Sequence, residues 1–172
     1  QHFMVVIAAD ALDRLRHQDE VVLLQRLEDA VHHHHFIFQI LLNMAGAAAL
    51  QRLRQAGATV VALANSTEQV LQAQLGFAGL TQHFDAVYSA DSIRQLKPAP
   101  AAYAMVAEDL GASMADIWLV AAHSWDISGA LAAGCSAAFV ARSGAVLSPL
   151  GPRPAISASD LNEVVRELLN RT

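Results

Sequence analysis

The sequence predicts an α/β fold: a Rossmann-like, three-layer arrangement in which helices cover both faces of a parallel sheet. Three observations carry this. Short apolar runs rich in β-branched residues recur along the chain, as in Met4-Val5-Val6-Ile7-Ala8-Ala9 and Thr59-Val60-Val61-Ala62-Leu63, which suits strands buried on both faces. Between these runs lie stretches with helical spacing of apolar residues. Gly and Pro punctuate the junctions. Strand and helix alternate repeatedly, which calls for parallel strands joined by right-handed crossovers.

Taken in order, the first strand ends at Asp10. Residues 13–30 mix charge with Val21, Leu23, Leu24 and Leu27, the pattern of an amphipathic helix. Four consecutive histidines, His32 to His35, precede an apolar patch at 36–42. A helix over 47–55 turns Leu50 and Leu53 inward and Arg52 and Arg54 outward, and Gly57 stops it. The second strand, 59–63, leads through Asn65, with Ser66 or Thr67 capping a helix that runs to Leu75. A third strand covers 84–88, and Pro98 and Pro100 open a helix over 101–110. The fourth strand is 117–121, followed by a helix over 127–133 that Gly134 ends. A fifth strand covers 137–141, and Ser159 or Asp160 caps a final helix over 161–169. The proline-rich stretch 148–154 is a surface loop.

At 172 residues, 54% hydrophobic and 16% charged, the chain has enough apolar side chain to fold around a core, which excludes a disordered protein. A net charge of −5 argues against nucleic-acid binding, which needs a basic surface. Apolar runs stop short of the ~20 residues a bilayer requires, so no membrane span is expected. The N-terminus lacks the order of a signal peptide. The single cysteine, Cys135, excludes an internal disulfide framework and fits a cytoplasmic setting.

Ligands of such sheets bind at the carboxyl ends of the strands. The residues to read are therefore Asp10, Asn65, the loop before Lys97, and the stretch from His123 to Asp126. A carboxylate there can attack an electrophilic carbon or phosphorus. A nearby ammonium keeps it ionised and offsets developing negative charge. The histidine run is not read as a metal site, because neighbouring residues on one element do not converge on one ion.

Three segments resemble the haloacid dehalogenase superfamily, and within it the bacterial L-2-haloacid dehalogenases. They are Ala62-Leu63-Ala64-Asn65-Ser66-Thr67; Ser89-Ala90-Asp91 with Leu96-Lys97-Pro98-Ala99-Pro100; and Leu119 through Ala130, which contains Trp125-Asp126 and Gly129-Ala130. The stretch Pro149-Leu150-Gly151-Pro152-Arg153-Pro154 is similar too. The resemblance covers residues 45–170. It implies hydrolysis of short 2-haloalkanoic acids to 2-hydroxy acids through an aspartyl ester. Asp10 would be the nucleophile and Lys97 its partner. Asn65 would orient the nucleophile or hold the halide, and Asp126 would position the lysine and the water. Ser66, Tyr103, His123 and Trp125 would contact the substrate. No metal and no cofactor are implied. Members are often homodimers, and the patch at 36–42 is the candidate interface.

Residues 1–12 would then hold the first core strand and 45–172 the rest of the core. Only residues 13–44 stand where the family inserts a helical cap, so a reduced or incompletely represented cap is expected. Asp13 and Arg14 occupy the places of the family's Gly-Thr, and Ala64 that of a Ser. Two alternatives follow. A Mg²⁺-dependent phosphatase of the superfamily would carry acids where Leu12 and Ala122 stand, and those acids are missing. A non-catalytic binding module is the other, favoured by the altered first motif and the short insert.

Overall fold

The computed structural model describes residues 4–8 and 44–171. Asp10, the expected helix over 13–30, the histidine run and the patch at 36–42 lie outside the described residues. Six strands build one sheet: β1 (Met4–Ala8), β2 (Thr59–Ala64), β3 (Ala86–Ser89), β4 (Ile117–Ala121), β5 (Ser136–Val140) and β6 (Ile156–Ala158). Their order is β3-β2-β1-β4-β5-β6, and every pairing is parallel. The helices are α1 (Met44–Gln55), α2 (Glu68–Phe77), α3 (Pro100–Asp109), α4 (Ser124–Ala132) and α5 (Leu161–Leu169).

The continuous apolar runs become the central strands because both of their faces are covered. Val5, Ile7, Val60, Ala62, Val120, Ala138 and Val140 pack on one side with Leu50 and Leu53 of α1, Leu71 and Leu75 of α2, and Val164, Val165 and Leu168 of α5. Their alternates, Val6, Val61, Leu63, Leu119, Ala121, Ala137 and Phe139, face Ala102, Tyr103 and Val106 of α3 and Ile127 and Ala130 of α4. Burying each large aliphatic side chain contributes roughly 1.5–3 kcal/mol. The three layers are those expected.

Five strands match the sequence reading, with one shift. Phe84 and Asp85 close a short 3₁₀ turn (Thr81–His83) instead of opening β3, because Phe84 N–H donates to Thr81 O and Asp85 N–H to Val60 O. Two further 3₁₀ turns, Ala90–Ile93 and Met114–Asp116, and strand β6 were not expected. Among the alternatives for caps, Thr67 accepts from Val70 N–H and Asp160 from Glu163 N–H. Gly57 takes φ 85°, the left-handed geometry expected where α1 stops. Helix α4 begins three residues before the expected start, so Asp126 sits in its first turn.

This strand order places the switch point between β1 and β4. The chain runs outward to β2 on one side and to β5 on the other, opening a crevice at the carboxyl ends. Among the described residues no helix is long and apolar enough to cross a membrane.

Candidate active site

Among the described residues, three connections leave the sheet at its carboxyl edge with the residues singled out by sequence. After β2 come Asn65 and Ser66; beyond β3, the loop carrying Lys97; after β4, His123 and the first turn of α4. Lys97 is 3% exposed and Asp126 0%. Two charges that deep need partners, since desolvating either one alone costs several kcal/mol. They have them. Lys97 Nζ lies 2.9 Å from Asp126 Oδ2 and donates also to Leu63 O at 3.1 Å. Tyr103, on α3, donates its hydroxyl to the other carboxylate oxygen, Oδ1, at 2.7 Å. The partial positive charge of the α4 N-terminus adds to the welcome for a carboxylate in that first turn.

The lysine is also fixed through its backbone. Lys97 N–H donates to Asn65 Oδ1 at 2.7 Å, and Asn65 Nδ2 donates to Lys97 O at 3.1 Å. This reciprocal pair ties the loop to the end of β2. Ser89 Oγ adds a second tie, donating to Ser66 O at 2.7 Å. The helix carrying Asp126 reaches its partners because Gly129 has no side chain. A Cβ there would stand 2.5 Å from Pro98 Cβ and 2.7 Å from the Tyr103 hydroxyl.

Toward solvent, the His123 and Trp125 rings stack with centroids 5.6 Å apart and an interplanar angle of 25°. Lys97 Nζ lies 5.9 Å from the Trp125 ring centroid, within cation–π reach. Trp125 is 37% exposed, so it forms part of an accessible wall. His123 has its pKa lowered, first by burial and then by the positive charge of Arg142, with Asp126 pulling the other way and Lys97 lowering it further. Burial and that positive charge favour the neutral imidazole. The loop after β5 closes over this corner, Ser148 N–H donating to Ser124 Oγ at 2.9 Å.

Of the residues expected from sequence, Asn65, Lys97, Tyr103 and Asp126 thus form one bonded network, and His123 and Trp125 flank it. Ser66 contributes its carbonyl, while its hydroxyl oxygen is buried with no hydrogen-bond partner among the described residues. Asp10 lies outside the described residues, two positions after β1 ends. Tyr103 is 2% exposed and bonded to Asp126 rather than set in an open wall. One residue of this edge was not anticipated: Arg142, two positions past β5. Reading the exit of the fifth strand, as was done for the others, would have found it.

Among the described residues no three His, Cys, Asp or Glu side chains cluster so as to hold a metal ion. Ala122, where a magnesium site of this fold would need an acid, is buried and apolar.

Residues 3–134 match the family model for haloacid dehalogenase-like hydrolases. The (S)-2-haloacid dehalogenase of Xanthobacter autotrophicus is 45% identical over 80 residues, which span 46% of this chain and 32% of that protein. The (S)-2-haloacid dehalogenase 2 of Pseudomonas sp. (strain CBS-3) is 33% identical over 116 residues, 67% of this chain and 51% of that protein. The matched region is therefore about a third to a half of the length of these relatives. Among solved structures, the L-2-haloacid dehalogenase from Xanthobacter autotrophicus superimposes with a TM-score of 0.64 at 30% identity, over 73% of this chain and 60% of that one.

Proposed function

The chain belongs to the haloacid dehalogenase-like hydrolase family, and on that premise we propose that it hydrolyses the carbon–halogen bond of short 2-haloalkanoic acids. A carboxylate oxygen of Asp10 attacks C2 from the side opposite the halogen. The carbon–halogen bond breaks, halide departs with the bonding electrons, and an aspartyl ester forms. Water then adds to the carboxyl carbon of that ester. The ester C–O bond breaks, the 2-hydroxy acid leaves with inverted configuration, and the Asp10 carboxylate returns with release of a proton. Halide is a stable anion, so its departure needs no acid.

In this reading Lys97 offsets the negative charge that develops at the ester, Asp126 and Tyr103 hold Lys97 in place, and Asn65 fixes the loop that presents it. His123 and Trp125 wall the substrate side, and Ser66 contacts the substrate. The observation that carries the reading is the dry Lys97–Asp126–Tyr103 network at the carboxyl edge. It presents a lysine, and Ala122 stands where phosphoryl-transfer relatives would place a metal-binding acid. The matched relatives, named as 2-haloacid dehalogenases, support the same substrate class. A cytoplasmic location and a homodimer, the latter through residues 36–42, complete the proposal.

The test is halide release from each enantiomer of 2-chloropropionate, with and without EDTA, by wild type and Asp10→Asn. Release by wild type that EDTA leaves intact and Asp10→Asn loses is the expected result. Activity confined to phosphate esters and removed by EDTA would replace dehalogenation with phosphoryl transfer.

A further inference from the structure

Hydrolysis of the aspartyl ester consumes a water, and that water gives up a proton as its oxygen adds to the carboxyl carbon. The buried network offers no acceptor for it. Asp126 is 0% exposed and has both carboxylate oxygens bonded, Oδ2 to Lys97 Nζ at 2.9 Å and Oδ1 to the Tyr103 hydroxyl at 2.7 Å. The Lys97 ammonium carries protons but no lone pair. Asn65 brings an amide and Ser66 a hydroxyl, neither of which is a base near neutral pH.

His123 differs from all of these. It is half-buried on the solvent side of the network, next to a Trp125 that is 37% exposed. Its ring stacks on the indole with centroids 5.6 Å apart and an angle of 25°, and Lys97 Nζ lies 5.9 Å from the centroid of that same indole. Stacking engages the face of the imidazole and leaves open its edge, where both nitrogens lie. Neither nitrogen has a hydrogen-bond partner among the described residues, and neither belongs to the buried orphaned atoms, which are Ser66 Oγ and Arg142 Nε. Both therefore reach solvent. The backbone is held separately. His123 caps α4 in extended geometry, its carbonyl accepting from Asp126 and Ile127 N–H at 3.2 and 3.1 Å, with no side-chain cap bond. Three charges face the ring: Arg142 past β5, Lys97 beyond β3 and Asp126 on α4. Burial and the two cations favour the neutral form, which accepts a proton.

We propose that His123 is the general base of the hydrolytic step, taking a proton from water on a ring nitrogen and returning it to the departing oxygen of the 2-hydroxy acid. The assignment rests on the dehalogenation reading. The water oxygen bonds to the ester carboxyl carbon as one of its protons passes to the imidazole. The tetrahedral adduct then breaks its C–O bond to the substrate oxygen, which leaves with the bonding electrons and takes that proton from the imidazolium. The carboxyl group left behind loses the water's second proton to solvent.

The experiment follows halide release and intact-protein mass after rapid mixing with each enantiomer of 2-chloropropionate. It compares wild type, His123→Phe and His123→Ala of the full 172-residue chain. The Phe variant keeps an aromatic ring for the stack and removes the nitrogens. Both variants should release about one halide per chain in a burst and then stall, the esterified chain accumulating as its breakdown slows by about a hundredfold or more. Added imidazole should restore breakdown in His123→Ala, which a purely structural role of the ring would not allow. In wild type, breakdown should slow as pH falls below about 6.5, and the Phe variant should lack that limb. Breakdown at the wild-type rate in either folded variant would overturn the assignment, as would loss of the burst together with turnover. His123→Ala decides the matter if the Phe variant does not fold. If neither folds, the wild-type profile decides, a flat one overturning the assignment. Absence of halide release by wild type would remove the dehalogenation reading and this assignment together. A burst followed by unimpaired turnover in the variants would remove this assignment alone.

Discussion

The Lys97–Asp126 pair at the carboxyl edge of the sheet and the Arg54–Asp85 pair at its amino edge are close in length, 2.9 and 2.7 Å. Their surroundings differ. The first has both side chains at 0% exposure; the second has 42% and 31%. Arg54 and Asp85 help hold α1 against the starts of β2 and β3, with Asp85 also accepting from Val60 N–H at 2.9 Å and Arg54 donating to Gln82 O. Water competes for every one of these charges. At the other edge water is excluded, and each charge depends on the groups the fold supplies. Distance alone does not distinguish a surface fastening from the buried pair of the candidate site; the medium around the pair does.

That contrast can be broken most severely at Lys97. Removing one member of a buried pair strands the other, so Lys97→Ala should lower unfolding free energy by about 3–5 kcal/mol and abolish halide release. Urea denaturation and a halide electrode measure the two effects; a loss below about 1 kcal/mol would mean the site is wetter than described. Next comes Gly129→Ala. Its new methyl meets Pro98 and Tyr103 at distances real atoms do not tolerate. Overpacking of about 1–3 kcal/mol should show in the same denaturation curves, with a fall in kcat as Tyr103 is pushed from Asp126.

A smaller effect separates the wet side of the site from its dry floor. The folded pKa of His123 lies below its ordinary value, with Arg142, Lys97 and Asp126 facing it. As pH falls below about 6.5 the unfolded chain takes up this proton before the folded one. His123 therefore lowers stability as pH drops toward its folded pKa and has no such effect above neutrality. His123→Asn should flatten that decline between pH 7 and 5, by some fraction of about 1.4 kcal/mol per pH unit because half the ring is screened by solvent. An identical slope in the variant would show that other groups set it. Smallest is Arg54→Ala. It should cost no more than about 1 kcal/mol, lose even that in high salt, and leave halide release alone.

The fold was legible where burial on both faces forces continuous apolar runs. Hence β1, β2, β4 and β5 could be read directly. Strand β6 was missed because Ile156-Ser157-Ala158 is too short to show a pattern and is held by pairing with β5. The start of α4 was missed because His123-Ser124-Trp125 shows no helical spacing of apolar residues. Its first turn is set by extended backbone at His123 and by the partners Asp126 finds. The candidate site was legible as residue types at strand exits. Its wiring was not: that Asn65 grips the Lys97 backbone, and that Tyr103 reaches Asp126, depend on which strands become neighbours. Arg142 was legible only by its place two residues past the fifth strand, since nothing else in a lone arginine after Ala141 distinguishes it from a surface charge.

The clasp between Asn65 and Lys97 joins positions 32 residues apart with two hydrogen bonds, and Ser89 is fastened to Ser66 just upstream. Segment 90–96 therefore hangs between two moorings, Ser66 and Asn65, just past the end of β2. Substitution at its exposed positions, Asp91, Ser92, Arg94 and Gln95, can reshape the rim of the crevice while buried Ala90 and half-buried Leu96 stay packed on the core.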